Sequence, residues 1–245
     1  MGESIKKHKV SGMTETDYEE QTETLEVQKD PQKLFIGIPR EETMQENRVA
    51  LIPSSVSTLI GRGHRVIIQE GAGKKSNFND RDYTEVGAEI ARSKKEVFKA
   101  DVLIKVAPPT LEETELLHPN QLLISPLQIP IMTREIIENL RKKRVIAVAM
   151  EYLQDDDGSF PLVRIMSEMA GISSMLTAAE LLSNTRNGRG VLLGGVSGVP
   201  PAKVIILGAG VVGEFASRVA LGLGAEVRIF DNNIYKLMRI KNRLG

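Results

Sequence analysis

From Leu34 onward, short apolar runs alternate with amphipathic or turn-rich segments. Leu34-Phe35-Ile36-Gly37-Ile38 reads as a short buried strand, followed by a Pro39-Arg40-Glu41-Glu42 loop and the segment Asn47 to Leu51. Pro53-Ser54-Ser55 opens a helix through Ile60, which Gly61 and Gly63 end. Arg65 to Gln69 is the next strand, with Gly71-Ala72-Gly73 as its turn. Asp80 to Val86 and Ser93 to Phe98 read as surface helices. Val102 to Val106, Leu122 to Ile124 and Val145 to Met150 read as strands, the last ending at Glu151, and Thr133 to Lys142 as an amphipathic helix. Strands alternating with helices predict a parallel α/β sheet. Met166 to Leu182 follows as a long, largely apolar helix of small residues, a bridge to a second α/β unit. Its methionines, Met166, Met169 and Met175, read as core or helix-packing residues.

After a glycine-rich loop, Asn184 to Gly198, the pattern becomes strand, glycine turn, helix, strand, acid over Val204 to Asp231. Val204 to Leu207 is β-branched and apolar, as expected of a strand buried on both faces. The turn Gly208-Ala209-Gly210-Val211-Val212-Gly213 has the spacing G-x-G-x-x-G. Gly208 allows the tight turn, Gly210 lets backbone approach a pyrophosphate, and Gly213 lets helix and strand pack closely. The helix start offers N–H groups and partial positive charge to phosphate. Asp231 lies 23 residues after Gly208, near the ~20 expected for a ribose-binding acid. Its carboxylate accepts from ribose hydroxyls and repels a 2′-phosphate, which favours NAD over NADP. Only strand, helix, strand and one further helix follow this pattern up to Gly245. The expectation is therefore two parallel-sheet α/β domains, the second a Rossmann-like NAD-binding domain present only in part. The boundaries read as a disordered tail over 1–32, an α/β substrate domain over 33–165, a connecting helix and loop over 166–200, and the partial NAD domain over 201–245.

Composition narrows the classes. Hydrophobic residues make up 41% of the 245, enough for real cores. The 32 basic and 32 acidic residues balance, and Trp is absent, which argues against a nucleic-acid partner. The absence of cysteine excludes disulfides and fits a cytoplasmic protein. No segment is apolar enough to span a bilayer. Lys74-Lys75 lacks the G-K-[ST] order of a phosphate loop and reads as a solvated turn. Asp155-Asp156-Asp157-Gly158 reads as a turn and lacks the downstream Glu of a calcium loop. His64 and His118 read as surface residues, and His8 lies in the tail.

The blocks IGIPREETMQENRVALIPSSV, LIGRGHRVIIQEGAG, ADVLIKVAPP, MSEMAG, GRGVLLGGVSGVPPAKVIILGAGVVG and IFDNN resemble the alanine dehydrogenase and transhydrogenase α-subunit family. They occur in that family's order from about Leu34 to Gly245. The resemblance implies two α/β domains with the active site between them, NAD as cofactor, and reversible oxidative deamination of L-alanine to pyruvate and ammonia. It implies that Arg48 binds the substrate carboxylate, that Lys105 contacts the same substrate, that Glu151 and Met166 line the cleft, and that Ser167 contacts cofactor. It implies a homo-oligomer whose partner is a small-molecule substrate.

Two departures from the family pattern stand out. The family's catalytic histidine position is Gln128, and glutamine cannot exchange a proton near neutral pH. A further catalytic aspartate of the family falls beyond Gly245. A transhydrogenase-type hydride carrier with a membrane partner, and a diverged non-catalytic NAD-binding protein, therefore stand beside the dehydrogenase. The Asp155 to Gly158 turn and MSEMAG resemble alanine dehydrogenase more closely.

Overall fold

A computed structural model of the chain describes residues 33–43 and 45–244. The tail expected over 1–32 lies outside them. In chain order the elements are β1 (Phe35–Ile38), α1 (Pro53–Gly61), β2 (Arg65–Gln69), α2 (Asp80–Glu85), β3 (Glu89–Ala91), α3 (Lys94–Val97), β4 (Val102–Ile104), α4 (Leu111–Leu116), β5 (Leu122–Ser125), α5 (Arg134–Lys142), β6 (Ile146–Ala149), α6 (Pro161–Leu182), β7 (Lys203–Leu207), α7 (Val211–Gly222), β8 (Glu226–Phe230) and α8 (Ile234–Leu244).

The first six strands form one sheet in the order β3-β2-β1-β4-β5-β6. Every pairing is parallel, with Ile36 opposite Val66 on one side and Val102 on the other. Alternation along the strands sends neighbouring side chains to opposite faces. Val66 and Ile68 therefore pack with Val56 of α1 and Tyr83 of α2. Ile67, Leu103 and Leu123 pack with Val97 of α3, Phe98, Leu117 and Leu140 of α5. Helices thus cover both faces, as a parallel sheet requires. The strand order reverses between β1 and β4, which places the switch point of the sheet there.

β7 and β8 pair in parallel, Val204 opposite Val227. Val204, Ile206 and Val227 face a core of Met175, Ala216 and Ala220 from α6 and α7. α6 meets α7 closely at Gly171, where a Cβ would lie 2.5 Å from the Val212 carbonyl oxygen and 2.8 Å from Phe215 Cβ.

Several expectations need correction. α6 begins at Pro161, five residues before the apolar stretch, because Pro fits the first helical turn. The helices near Asp80 and Ser93 are not purely surface elements: Tyr83, Val97 and Phe98 are buried. The short elements β3 and α4 were not expected. β7 is not buried on both faces. Ile205 and Leu207 are 64% and 82% exposed, because α7 covers only the Val204–Ile206 face of this two-stranded sheet. Of the α6 methionines only Met175 is buried; Met166 and Met169 are exposed. His64 and His118 are half-buried at the surface. The His64 ring accepts from the Leu34 N–H and the His118 ring meets the Ala100 carbonyl, so both are structural.

Gly171→Ala is expected to force α6 from α7, with an overpacking cost of about 1–3 kcal/mol. A lower urea midpoint at unchanged m-value, relative to wild type, is the measurement that checks this.

Candidate active site

Parallel α/β sheets bind ligands beyond the carboxyl ends of their strands at the switch point. Glu41, just beyond β1, and Lys105, just beyond β4, flank that point. Both are buried, and Lys105 Nζ donates to Glu41 Oε2 at 2.7 Å and to Glu113 Oε1 at 3.3 Å. The other Glu41 oxygen accepts from the backbone N–H of Val106 at 2.6 Å and of Ala107 at 3.3 Å. Glu113 is held in turn by the capping box that opens α4, where its second oxygen accepts from the Thr110 N–H at 3.0 Å. Lys105 is thus locked between two carboxylates at the base of the site.

Arg48 lies on the loop between β1 and α1. Its Nε and Nη2 donate to the two oxygens of Glu46 at 2.8 and 2.7 Å. Its Nη1 donates to the Met166 sulfur of α6 at 3.1 Å. The hydrogen bonds from Arg48 hold the Glu46 carboxyl below its ordinary value. Arg48 and Glu41 line one pocket of about 370 Å³ with Arg40, Glu42, Glu46, Lys74 and Lys75.

Beyond β5, Gln128 takes a left-handed backbone with φ 49°. Glu151, beyond β6, holds that turn. Glu151 Oε1 accepts from the Gln128 N–H at 2.7 Å and the Leu127 N–H at 3.1 Å. The Gln128 side chain is exposed. Glu151 therefore contacts backbone, a positioning role that the motif alone does not reveal.

On the second sheet, Ser167 of α6 lines a groove of about 520 Å³ with Gly208, Gly210, Val211, Val212 and Gly213. Gly208 has φ 107°, a conformation that favours glycine. A Cβ at Gly208 or Gly210 would meet nothing, so both leave open space at the turn, while one at Gly213 would lie 2.0 Å from the Gly208 carbonyl oxygen. Asp231 Oδ2 accepts from the Ala209 N–H at 2.7 Å, and Oδ1 from the Asn233 N–H at 2.7 Å. These bonds hold its carboxyl below the ordinary range. The open glycine turn, the free first-turn amides of α7 and the adjacent carboxylate fit a dinucleotide.

The structure gathers Arg48 with Met166, and Ser167 with the glycine turn. It places Lys105 deeper, behind Glu41. Three carboxylates escaped the sequence reading. Glu46 is two residues before Arg48, Glu41 follows a strand end, and Glu113 sits in the T-x-x-E signature of a capping box, each a usable signal. Glu214 was also missed. It is buried in α7 and bound by Arg218, Arg239 and Arg243, and Arg239 also reaches the Ala209 carbonyl at 3.2 Å.

Residues 37–170 match the N-terminal domain of the alanine dehydrogenase/PNT family, and residues 174–245 match its C-terminal domain. The chain belongs to the alanine dehydrogenase/PNT family. It is 39% identical over 213 residues to an alanine dehydrogenase of Bilophila wadsworthia, covering 86% of this chain and 55% of that relative. It is 40% identical over 216 residues to an alanine dehydrogenase of Methanococcus maripaludis, covering 86% of this chain and 57% of that one. It thus spans little more than half the length of these curated relatives. Among solved structures, an L-alanine dehydrogenase superposes with TM-score 0.81 at 42% identity, covering 86% of this chain and 58% of the other. A transhydrogenase from Sinorhizobium meliloti gives 0.75 at 26%, covering 84% and 61%. No helix among the described residues is long and apolar enough to cross a membrane.

Two outcomes test this geometry. Lys105→Ala leaves Glu113 with Lys94 at 3.2 Å but the buried Glu41 without its cation, and is expected to cost about 3–5 kcal/mol in denaturant titration, so it probes stability as well as binding. The second concerns pH. Glu46, lowered in the fold, contributes stability that is present above its ordinary 4.5 and is lost as pH falls through its folded value. Arg48→Ala is expected to return the Glu46 carboxyl toward 4.5, read by NMR titration of its side-chain carbon.

Proposed function

We propose that this chain carries the substrate pocket and the opening unit of the nucleotide site of an NAD-dependent alanine dehydrogenase, which interconverts L-alanine with pyruvate and ammonia. The observation that supports the reading is the Arg48 guanidinium. A guanidinium presents two donor forks. Glu46 occupies the Nε–Nη2 fork and fixes the plane of the group. At the end formed by Nη1 and Nη2, among the described residues, the one acceptor beyond Glu46 is a thioether, a weak one. A substrate carboxylate replacing that sulfur gains two parallel charge-assisted hydrogen bonds.

The remaining residues follow from this anchor. Lys105 contributes a positive charge for the oxo or amino end of the substrate, and an oxygen reaching it takes the place of a Glu41 or Glu113 oxygen. Glu151 sets the Gln128 turn, from which the amide hydrogen-bonds substrate without exchanging a proton. NAD, when bound, supplies the acceptor for the substrate hydride. Gly208 to Gly213 would hold its pyrophosphate, Asp231 its ribose hydroxyls, and Ser167 would contact it from α6. Asp231 is engaged with the turn in the free chain, so its remaining lone pairs serve the ribose. A homo-oligomeric state and a cytoplasmic location belong to the same proposal. The alanine dehydrogenase relatives near 40% identity, against 26% for the transhydrogenase, favour deamination over transfer between nucleotides.

Calorimetric titration is expected to give tighter binding of NADH than of NADPH, with Asp231→Ala weakening NADH; equal affinities would remove the nucleotide assignment. Pyruvate binding is expected in the wild type and to fall at least roughly tenfold in Arg48→Ala, the loss of a bidentate charged contact. Unchanged pyruvate binding would overturn the anchor. NADH oxidation with pyruvate and ammonia, compared between wild type and Gln128→His, reports whether glutamine supports turnover.

A further inference from the structure

The Lys74-Lys75 pair has no counterpart in the role just assigned to the pocket, and the sequence reads it as a solvated turn. The structure fastens that turn over the Arg48 segment. Ser76 Oγ donates to the Asn47 carbonyl at 2.8 Å, and Lys75 Nζ to the Glu46 carbonyl at 3.4 Å. Both lysines line the same 370 Å³ pocket as Arg48. The three carboxylates of that lining are each paired with a cation other than these lysines. Glu41 is held by Lys105, Glu42 by Lys94, and Glu46 by Arg48. Among the described residues neither Lys74 nor Lys75 takes part in an ion pair. The pocket therefore carries a surplus of positive charge on the turn fastened beside the Arg48 anchor. A three-carbon oxo acid offers one carboxylate, which Arg48 takes, and leaves the lysines unused.

We propose that this pocket takes a dicarboxylic 2-oxo acid and the corresponding amino acid, with the first carboxylate on Arg48 and the second on Lys74 and Lys75. The proposal rests on the reading of Arg48 as the carboxylate anchor and refines its substrate class. The lysines act as point charges on flexible stems, suited to a distal carboxylate whose distance from the first varies with chain length. Because the lysines are solvent-exposed, their contribution falls as salt rises.

The test is calorimetric titration of the whole chain, with NADH present, by 2-oxoglutarate and by 2-oxopentanoate, which has the same carbon chain without the distal carboxylate. The expected result is a preference for 2-oxoglutarate of roughly tenfold or more, reduced by added salt. In the double variant Lys74→Gln, Lys75→Gln that preference is expected to disappear while 2-oxopentanoate binds as before. Equal binding of the two acids to the wild type, both weakened by Arg48→Ala, would overturn this inference and leave the anchor standing. A preference that survives the double variant would also overturn it. Binding of neither acid would remove the anchor reading itself, and this inference with it.

Discussion

The pairing of Lys105 with Glu41 and Glu113 is the contact on which the first sheet's carboxyl edge depends. Each member is buried, and each oxygen of Glu41 is used, one by the ammonium and the other by two backbone amides of the loop beyond β4. A charge taken out of water survives only when its partners are in place. The loops beyond β1 and β4 therefore have one mutual arrangement, and the walls of the pocket at the switch point inherit it. Glu113 extends the constraint to α4, whose first turn it also caps.

The same economy recurs across the site. Three groups assigned to ligand are already oriented by another: Arg48 by Glu46, the Gln128 turn by Glu151, and Asp231 by the Ala209 and Asn233 amides. Side chains and loops ordered before a ligand arrives do not need ordering afterwards, which is the main way a small polar pocket gains affinity. The cost is that a ligand must exchange for existing hydrogen bonds, and the weakest of these, from Arg48 to the Met166 sulfur, is the first to yield.

Much of the fold was legible because hydrophobic period and glycine position act locally. The strands at Phe35–Ile38, Arg65–Gln69 and Lys203–Leu207, the helices at Pro53–Gly61 and Val211–Gly222, and the parallel topology all follow from such signals. β3 escaped because Glu89-Ile90-Ala91 holds a single large apolar residue, and α4 because its apolar content is slight and only its capping box marks it. The exposure of Ile205 and Leu207 was not legible either, since an apolar strand does not declare how many layers cover it. At the site, the motif blocks pointed to Arg48, Lys105 and the glycine turn. They did not point to the carboxylates that hold them, because a glutamate next to a turn looks the same whether it faces solvent or a buried ammonium. Only the strand order brings Glu41 to Lys105, while Glu113 reaches it from α4, the next element along the chain.

The central place of β1 carries a consequence for how the chain acquires this sheet. β1 pairs with β2, close in sequence, and with β4, where Ile36 meets Val102. The first pairing closes a short loop, while the second must wait for a much longer one, and nonlocal parallel pairings are slow to form. During synthesis the β1-α1-β2 unit emerges before β4, with one edge of β1 and the carboxylate of Glu41 still without their partners. The inner edge of β1 thus waits for β4, and the lysine at the end of β4 is the cation that then meets Glu41, before β5 and β6 extend the sheet.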